Sequence, residues 1–258
     1  MKMDERLKCG MIEFTVKSSY DETEQPNLFL PAKGDEPRPL LVGLHTWSFD
    51  RFNQIDNMRP YAEENNFHLL LPEFRGPNSK GNPRCKVACG SPAARQDVID
   101  AIEYVCASYS VDRSKILLLG HSGGGHMALM MASHYPKVFR AVGSFVPICD
   151  LKKWHTEAPG YAPHIEACCR DEEEMLRRSP ISYLDTLAEA NVKIFHGKFD
   201  SCVPVTQSIG LFAEMMARYP KCKCYLDVFD GGHQLDMKAA AAWFASQLGK
   251  NDLVDVTG

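Results

Sequence analysis

The hydrophobic pattern of the chain alternates between short apolar runs and longer segments in which apolar residues recur every three or four positions. A short apolar run between polar or glycine-rich stretches is typical of a strand buried on both faces, and the longer spacing is typical of a helix packed on one side. The buried runs fall at residues 40–44, 67–71, 116–119, 139–146 and 192–195. Their alternation with helical segments predicts a mostly parallel central sheet with helices on both faces, an α/β fold.

Four further segments complete the predicted domain. Residues 11–17 and 27–31 flank a polar turn and are predicted as an opening antiparallel pair, while residues 222–229 alternate as an additional strand. Residues 151–180 break the rhythm and are predicted as a small, irregular cap insertion over one edge of the sheet. The whole chain, 1–258, is therefore interpreted as one α/β domain.

The run 116–119 ends at Gly120, and residues favourable to a helix begin at Met127, so the glycines between them must reverse the chain sharply. Gly120-His121-Ser122-Gly123-Gly124 matches the G-x-S-x-G nucleophile elbow. Such a turn exposes the serine hydroxyl and directs the following amides toward developing negative charge. Ser122 is the predicted nucleophile, and the amide of Gly123 is a predicted donor to the oxyanion.

Two other structures are compatible with the sequence of this turn. One is a plain glycine-rich turn, which the pentapeptide alone leaves open. The other is dinucleotide binding, because Gly123-x-Gly125-x-x-Ala128 fits G-x-G-x-x-A. That fingerprint normally opens the first βαβ unit and is followed about 20 residues later by an acid. Here it lies in mid-chain, and no Asp or Glu occurs between Ser122 and Cys149, so no cofactor is predicted.

A serine hydroxyl needs an imidazole to accept its proton, and the imidazole needs a carboxylate to orient it. In a parallel sheet these groups belong in loops at the carboxyl ends of strands. Asp200 and His233 follow two predicted strands in the order Ser…Asp…His of an α/β-hydrolase. Asp150 also follows a strand and is the main rival acid, but it leads into the cap, whereas Asp200 precedes the strand that delivers His233.

The loop after the first buried run, His45-Thr46-Trp47, is expected to supply the second amide of an oxyanion hole, with Trp47 favoured over Thr46. The alternative role for the Trp47 side chain is packing against the next helix. Trp154 in the cap and His121 beside the nucleophile are the predicted substrate-binding residues. For Trp154, packing in the core of the cap is an equal alternative.

Composition narrows the class of protein. Hydrophobic residues make up 45% of the chain and charged residues 24%, as in ordinary globular proteins. A formal charge of −4 argues against nucleic acid as a partner, and nothing indicates a homo-oligomer. The first residues lack the apolar core of a signal peptide, and no stretch reaches the roughly 18 apolar residues of a membrane span. A cytoplasmic location is predicted, although a processed secreted form would have the same sequence.

Ten cysteines are many for a reducing compartment. Cys85 and Cys89 lie in a polar loop, and their spacing is compatible with half of a metal site or with a disulfide. A disulfide would indicate an oxidising compartment. No second pair with the spacing of a zinc site accompanies them, so no metal is predicted. The adjacent Cys168 and Cys169 are predicted to be free.

Three segments together carry a resemblance to a known family: Gly-His-Ser-Gly-Gly-Gly-His-Met-Ala, His-Gly-Lys-Phe-Asp-Ser-Cys-Val-Pro-Val and Gly-Gly-His. They resemble the α/β-hydrolase superfamily, specifically its prolyl-oligopeptidase-like branch of serine esterases and peptidases, from about residue 38 to the end. The resemblance implies a triad of Ser122, Asp200 and His233, with Gly123 and the loop 45–47 as the oxyanion hole. Many relatives carry His-Gly-Gly in that loop, so the bulk of Trp47 is expected to narrow the acyl pocket.

The predicted function is a cofactor-free serine hydrolase that cleaves small carboxylic esters through an acyl-enzyme, with acetyl or feruloyl esters of carbohydrate as candidate substrates. The first alternative is a prolyl-oligopeptidase-like serine peptidase. It is disfavoured because such peptidases carry a large amino-terminal propeller, whereas only a short segment precedes the core here. The second alternative, a non-catalytic binding module on a hydrolase fold, is disfavoured because all three triad residues are present.

Overall fold

The computed structural model of the protein describes residues 10–249. Eight strands of this part of the chain form one sheet. The strands are β1 (Ile12–Lys17), β2 (Glu24–Leu30), β3 (Arg38–Leu44), β4 (His68–Pro72), β5 (Val111–His121), β6 (Ala141–Phe145), β7 (Asn191–Gly197) and β8 (Lys223–Phe229). Their order across the sheet is β1-β2-β4-β3-β5-β6-β7-β8.

Parallel pairing dominates the sheet. Only β1 with β2 and β2 with β4 pair antiparallel, whereas every pair from β4 to β8 is parallel. β5 lies in the middle, with Leu118 opposite Val42 on one side and Val142 on the other. The run 116–120 is buried, as expected of a strand covered on both faces. The structure thus confirms the predicted fold class, and the carboxyl ends of six parallel strands share one edge.

Helices cover both faces of this sheet. They are α1 (Ile55–Glu64), α2 (Pro92–Ser108), α3 (Gly123–His134), α4 (Leu151–Glu157), α5 (Ala162–Cys168), α6 (Glu172–Arg177), α7 (Leu184–Leu187), α8 (Thr206–Arg218) and α9 (Met237–Gln247). One apolar cluster joins the sheet to residues of α2, α3 and α8, such as Val98, Met127 and Leu211. A second cluster joins the opposite face to α1 and α9 through Met58 and Phe244. No helix within residues 10–249 has the length and apolar character that crossing a bilayer requires.

Helix α3 begins at Gly123, four residues before the predicted start at Met127. The glycines therefore form the first helical turn as well as the bend. A Cβ on Gly124 would lie 2.5 Å from the carbonyl oxygen of Leu44, which ends β3. Only glycine lets α3 pass this close to the strand ends, so the glycines form the first turn of the helix. Helix propensity, which is low for glycine, does not predict this.

The segment predicted as an irregular cap forms three short helices, α4, α5 and α6, between β6 and β7. Apolar side chains of the cap, among them Trp154, Ile165 and Cys168, pack in one cluster with Trp47. Asp150, the rival acid, instead begins α4 as its cap: its Oδ1 accepts a hydrogen bond from the Lys153 amide at 3.0 Å. The carboxylate of Asp150 is thus occupied in stabilising a helix terminus.

The loop between β4 and α2 is anchored by a buried arginine. Arg75 is 1% exposed, and its Nε donates to Asp97 at 2.5 Å while its Nη1 donates to Asp21 at 2.7 Å. Three residues later, the amide of Asn78 donates to the carbonyl of Trp47 at 2.7 Å. The anchored loop therefore supports the segment that follows β3.

Candidate active site

Ser122 lies between the end of β5 and the start of α3, with φ 59° and ψ −120°. A positive φ is uncommon for a residue with a side chain and persists only where surrounding contacts enforce it. Here the Ser122 amide donates to the carbonyl of Phe145, and the His126 amide donates to the carbonyl of Ser122, both at 2.9 Å. The strained turn directs the Ser122 side chain outward at the carboxyl edge of the sheet.

His233 follows β8 in a loop that pairs with the loop after β7. The amide of Lys198 donates to the carbonyl of Phe229 and the amide of Phe199 to that of Gly231, both at 2.9 Å. The imidazole then lies with Nε2 at 2.9 Å from Ser122 Oγ and Nδ1 at 2.7 Å from Asp200 Oδ2. A neutral ring protonated at Nδ1 donates to Asp200 and accepts from the serine hydroxyl. The structure thus brings together the three residues that the sequence predicts as a triad.

The Asp200 side chain is buried, and both of its oxygens are hydrogen-bonded. Oδ1 accepts from the amides of Cys202 at 2.8 Å and Val203 at 2.9 Å, while Oδ2 faces His233 and lies 3.5 Å from His196 Nε2. Burial raises the pKa of Asp200, but hydrogen bonds from His196, His233 and the Val203 amide outweigh it and hold the pKa below its ordinary value. The carboxylate therefore stays ionised and can orient the imidazole.

Two backbone amides lie beside Ser122. A Cβ on Gly123 would be 2.5 Å from the backbone nitrogen of Trp47, so the two amides are neighbours. The Thr46 amide donates to Asn53 Oδ1 at 3.0 Å, whereas that of Trp47 has no acceptor within residues 10–249. The Gly123 amide belongs to the first turn of α3, where helical acceptors are missing. Because Asn53 accepts the hydrogen bond of the Thr46 amide, the arrangement favours Trp47 over Thr46 as the second donor. This role of Asn53 was not predicted from the sequence.

The Trp47 side chain packs against the cap. It is 2% exposed, and its ring lies 4.9 Å from the ring of Trp154 and 6.5 Å from that of Tyr161, between centroids. The apolar cluster that contains Trp47 is formed mainly by side chains of the insertion after β6 and includes none of the described residues of α1.

Ser122 and His233 open into a pocket of about 320 Å³. Its walls are formed by Thr46, Trp47, Ser48, Phe49, Asn53, Gln54, Asn57, His121 and Tyr161. No Asp, Glu, Lys or Arg stands among these described lining residues. Of the two predicted substrate-binding residues, His121 lines the pocket and Trp154 does not. Trp154 is 1% exposed because its large side chain fills the core of the small cap. Its Nε1 donates to the carbonyl of Cys202 at 3.1 Å.

His121 is a half-buried imidazole beside the catalytic candidate His233, with 5.1 Å between the ring centroids. Burial, followed by repulsion from His233, lowers the pKa of His121 to about 4. His121 is therefore neutral at pH 7 and adds no charge to the pocket.

The predicted alternatives for the cysteine loop concern Cys85 and Cys89. Both are free thiols, as are Cys168 and Cys169, so the structure contains no Cys85–Cys89 disulfide. Within the described residues no group of three His, Cys, Asp or Glu side chains is arranged to hold a metal ion.

Comparison with known sequences decides the family. The profile of the prolyl oligopeptidase family matches residues 57–250, which is most of the chain. The chain belongs to the prolyl oligopeptidase family. Membership places it among the serine hydrolases of the α/β-hydrolase superfamily, as the resemblance implied.

Relatives of this prolyl oligopeptidase family member include peptidases and esterases. The acylamino-acid-releasing enzyme of Rattus norvegicus is 27% identical over 206 residues, which cover 71% of this chain and 28% of that enzyme. Feruloyl esterase B of Thermothelomyces thermophilus is 22% identical over 215 residues, covering 76% of this chain and 71% of the esterase. The chain thus spans less than a third of the length of the peptidase relative.

A solved structure of similar size shares the family member's fold. The substrate-bound fluorophosphonate-binding serine hydrolase F of Staphylococcus aureus has a TM-score of 0.71 and 16% sequence identity, over 91% of this chain and 97% of that one. The match covers nearly all of both chains, so it supports the α/β-hydrolase architecture throughout the described residues.

The proximity of Gly123 to Trp47 predicts the effect of adding one methyl group. In Gly123→Ala the new Cβ would meet the Trp47 backbone at 2.5 Å and force the two amides apart. Since loss of one oxyanion donor costs roughly 10²- to 10³-fold in kcat, we expect a decrease of that size in steady-state hydrolysis. Gly210→Ala on α8, where a Cβ meets nothing within 4 Å, is the control and should keep wild-type kcat. Equal kcat for both variants would contradict the arrangement.

The lowered pKa of His121 predicts a pH dependence of stability. Because the folded pKa is about 4 and the ordinary value 6.5, the unfolded chain binds the proton more tightly. The contribution of the neutral ring is complete above pH 6.5 and is lost as the pH falls toward 4. We expect the decrease in the free energy of unfolding between pH 7 and pH 4 to be about 1–3 kcal/mol smaller in His121→Gln than in wild type. Urea denaturation at the two pH values measures this decrease. An unchanged pH slope in His121→Gln would refute the assignment.

Proposed function

We propose that the protein cleaves carboxylic esters through an acyl-enzyme on Ser122, with His233 as general base and acid and Asp200 as the orienting carboxylate. The observation that carries this proposal is the continuous hydrogen-bond chain at the pocket floor: 2.9 Å from Ser122 Oγ to His233 Nε2 and 2.7 Å from His233 Nδ1 to Asp200. A serine with this environment is the activated nucleophile of acyl transfer.

In the acylation step, Ser122 Oγ attacks the ester carbonyl carbon while His233 Nε2 accepts the hydroxyl proton. The carbonyl oxygen becomes an oxyanion, and the amides of Gly123 and Trp47 donate hydrogen bonds to it. The ionised Asp200 stabilises the positive charge that forms on the imidazole, since its pKa is held below the ordinary range.

Breakdown of the tetrahedral intermediate releases the alcohol and leaves the acyl group on Ser122. His233 gives its proton to the departing alkoxide oxygen, so the alcohol leaves neutral. A water molecule then takes the place of the alcohol, loses a proton to His233 Nε2 and attacks the acyl carbon. Return of that proton to Ser122 Oγ releases the carboxylic acid and restores the enzyme.

The lining of the pocket supports neutral substrates that are aromatic or hydroxylated. Phe49 is 58% exposed at the pocket and offers an apolar surface for a sugar ring or an aromatic acid. Asn53 and Asn57 on the wall carry amides that suit sugar hydroxyls, and the absence of charged lining side chains in the described chain disfavours ionic groups. Acetyl and feruloyl esters of carbohydrate are therefore the proposed substrate class, in line with the similarity to feruloyl esterase B.

A serine peptidase activity is the second candidate. It is favoured by the 27% identity to the acylamino-acid-releasing enzyme, and the same three side chains would serve both reactions. The difference lies in the leaving group, because an amide nitrogen must be protonated before it departs, whereas an alkoxide is a better leaving group. The two candidates therefore differ in the relative rates on matched esters and amides.

We also propose a cytoplasmic location. The nine cysteines of the described chain are all free thiols, as is usual in a reducing compartment.

The proposal predicts which substrates turn over. Purified protein would be assayed on 4-nitrophenyl acetate, methyl ferulate and N-acetylalanyl 4-nitroanilide, with kcat/KM measured for each. We expect both esters to exceed the anilide by at least about 100-fold, because the barrier to amide cleavage is higher. Ser122→Ala should reduce ester turnover at least about 10³-fold, whereas Ser246→Ala, an exposed serine on α9, should not.

Two results would contradict the ester proposal. Efficient anilide turnover with negligible ester turnover would establish the peptidase instead. If folded wild-type protein turns over none of the three substrates and so behaves like Ser122→Ala, the result would favour the non-catalytic binding module.

A further inference from the structure

Two pairs of cysteines that are far apart in sequence meet beneath the cap. Cys85 and Cys89 bracket a short 3₁₀ turn in the loop before α2, and Cys168 and Cys169 lie at the end of α5. All four belong to one buried cluster, with exposed fractions of 8%, 1%, 1% and 2% in chain order. Nothing local in the sequence relates the two pairs to each other.

The thiols of these pairs are in contact. Cys89 forms side-chain hydrogen bonds with both Cys168 and Cys169, and Cys85 forms one with Cys168. The Sγ of Cys85 also donates to the carbonyl of Ala167 at 3.2 Å. The cluster therefore holds sulfur atoms of the main domain against sulfur atoms of the cap, with Cys89 at the centre.

The environment distinguishes the members of the cluster. The hydrogen bond from Cys89 lowers the pKa of Cys169, burial opposes this, and the nearby Arg178 guanidinium lowers it further. Arg178 is fixed in place because it donates to the carbonyls of Ala88 at 2.8 Å and Lys86 at 2.7 Å. The pKa of Cys169 is thus lowered, whereas hydrogen bonding and burial raise the pKa of its neighbour Cys89.

A small molecule has a route toward the cluster. A cavity of about 390 Å³ lies at the cap, and Cys168 forms part of its wall beside Lys86, Ala167 and Arg170. Glu166 and Glu174 also line this cavity, so its two basic side chains are matched by two acidic ones, and hydrogen peroxide, which is small and uncharged, is repelled by neither. Among the other described cysteines, Cys202 packs against the edge of this cluster, whereas Cys222, next to β8, packs against the apolar cluster that contains residues of α2, α3 and α8.

We propose that Cys89 and Cys169 are a reversible redox modification site, which a hydroperoxide converts into an intrachain disulfide between the main domain and the cap. The Cys169 thiolate attacks one peroxide oxygen, so that an S–O bond forms and the O–O bond breaks. Cys169 becomes a sulfenic acid, and the alkoxide or hydroxide that leaves takes up a proton. The Cys89 sulfur then displaces hydroxide from the Cys169 sulfur, and its thiol proton joins that hydroxide as water. Two electrons pass from the two thiols to the peroxide.

This bond would lie close to the candidate active site. The amide of Cys89 donates to Asn78 Oδ1 at 2.7 Å, and the amide of Asn78 donates to the carbonyl of Trp47 at 2.7 Å. Cys89 also has a positive φ of 48°, so its backbone is held by its surroundings. The disulfide would therefore fix the cap to the segment that supports the Trp47 amide.

The test is peptide mapping of oxidised protein. Fully reduced protein would be treated with hydrogen peroxide, denatured in iodoacetamide without reductant, digested, and analysed by mass spectrometry. We expect a linked peptide pair containing Cys89 and Cys169, with loss of two hydrogen masses and reversal by dithiothreitol. Cys89→Ser should reduce this peptide pair at least ten-fold, and the control Cys222→Ser should form it as wild type does.

The wild-type map decides the assignment even if Cys89→Ser folds poorly. A bridge from Cys89 to Cys168 or Cys85, oxidation of Cys169 to sulfinic acid without a bridge, or four unmodified thiols would each overturn the proposal. Because the readout is a covalent bond, these results are independent of ester hydrolysis.

Discussion

The close approach of helix α3 to the ends of β3 and β6 is the constraint on which the rest of the site depends. A Cβ at Gly123 or Gly124 would collide with the backbone of Trp47 or Leu44 at 2.5 Å, so the turn accepts no side chain there. The close contacts of this turn hold Ser122 at a positive φ and place two amides next to its hydroxyl. The strain is local, and the packed sheet and helix on either side maintain it.

The second half of the site depends on electrostatics at the neighbouring strands. The loops after β7 and β8 are joined by backbone hydrogen bonds, which fixes the distance between Asp200 and His233 at 2.7 Å. Burial alone would favour a neutral Asp200, but the donors around it keep it ionised. Desolvation also keeps His121 neutral, so His233 faces the fixed negative charge of Asp200 on one side and a pocket whose described lining residues carry no cation on the other.

The sequence predicted the parallel sheet, the order of the chemical groups and the contact among Ser122, Asp200 and His233, because each follows a strand whose apolar run is unmistakable. It failed where long-range packing decides. The start of α3 depends on backbone contacts with β3, and the burial of Trp154 depends on how the cap fills its core. The preference for Trp47 over Thr46 agrees with the sequence, but its structural reason, the hydrogen bond that the Thr46 amide donates to Asn53 Oδ1, was not predicted. The meeting of Cys89 with Cys169 has no local signal at all.

The central claim is that His233 and Asp200 make the Ser122 hydroxyl nucleophilic, and covalent labelling measures this directly. Wild type, His233→Ala and Asp200→Ala would be treated with a fluorophosphonate, and the adduct located by mass spectrometry of the digested protein. We expect the adduct on Ser122 in wild type, with the rate of labelling lowered at least about 100-fold in both variants. An adduct on another residue, or equal rates in folded wild type and variants, would contradict the account.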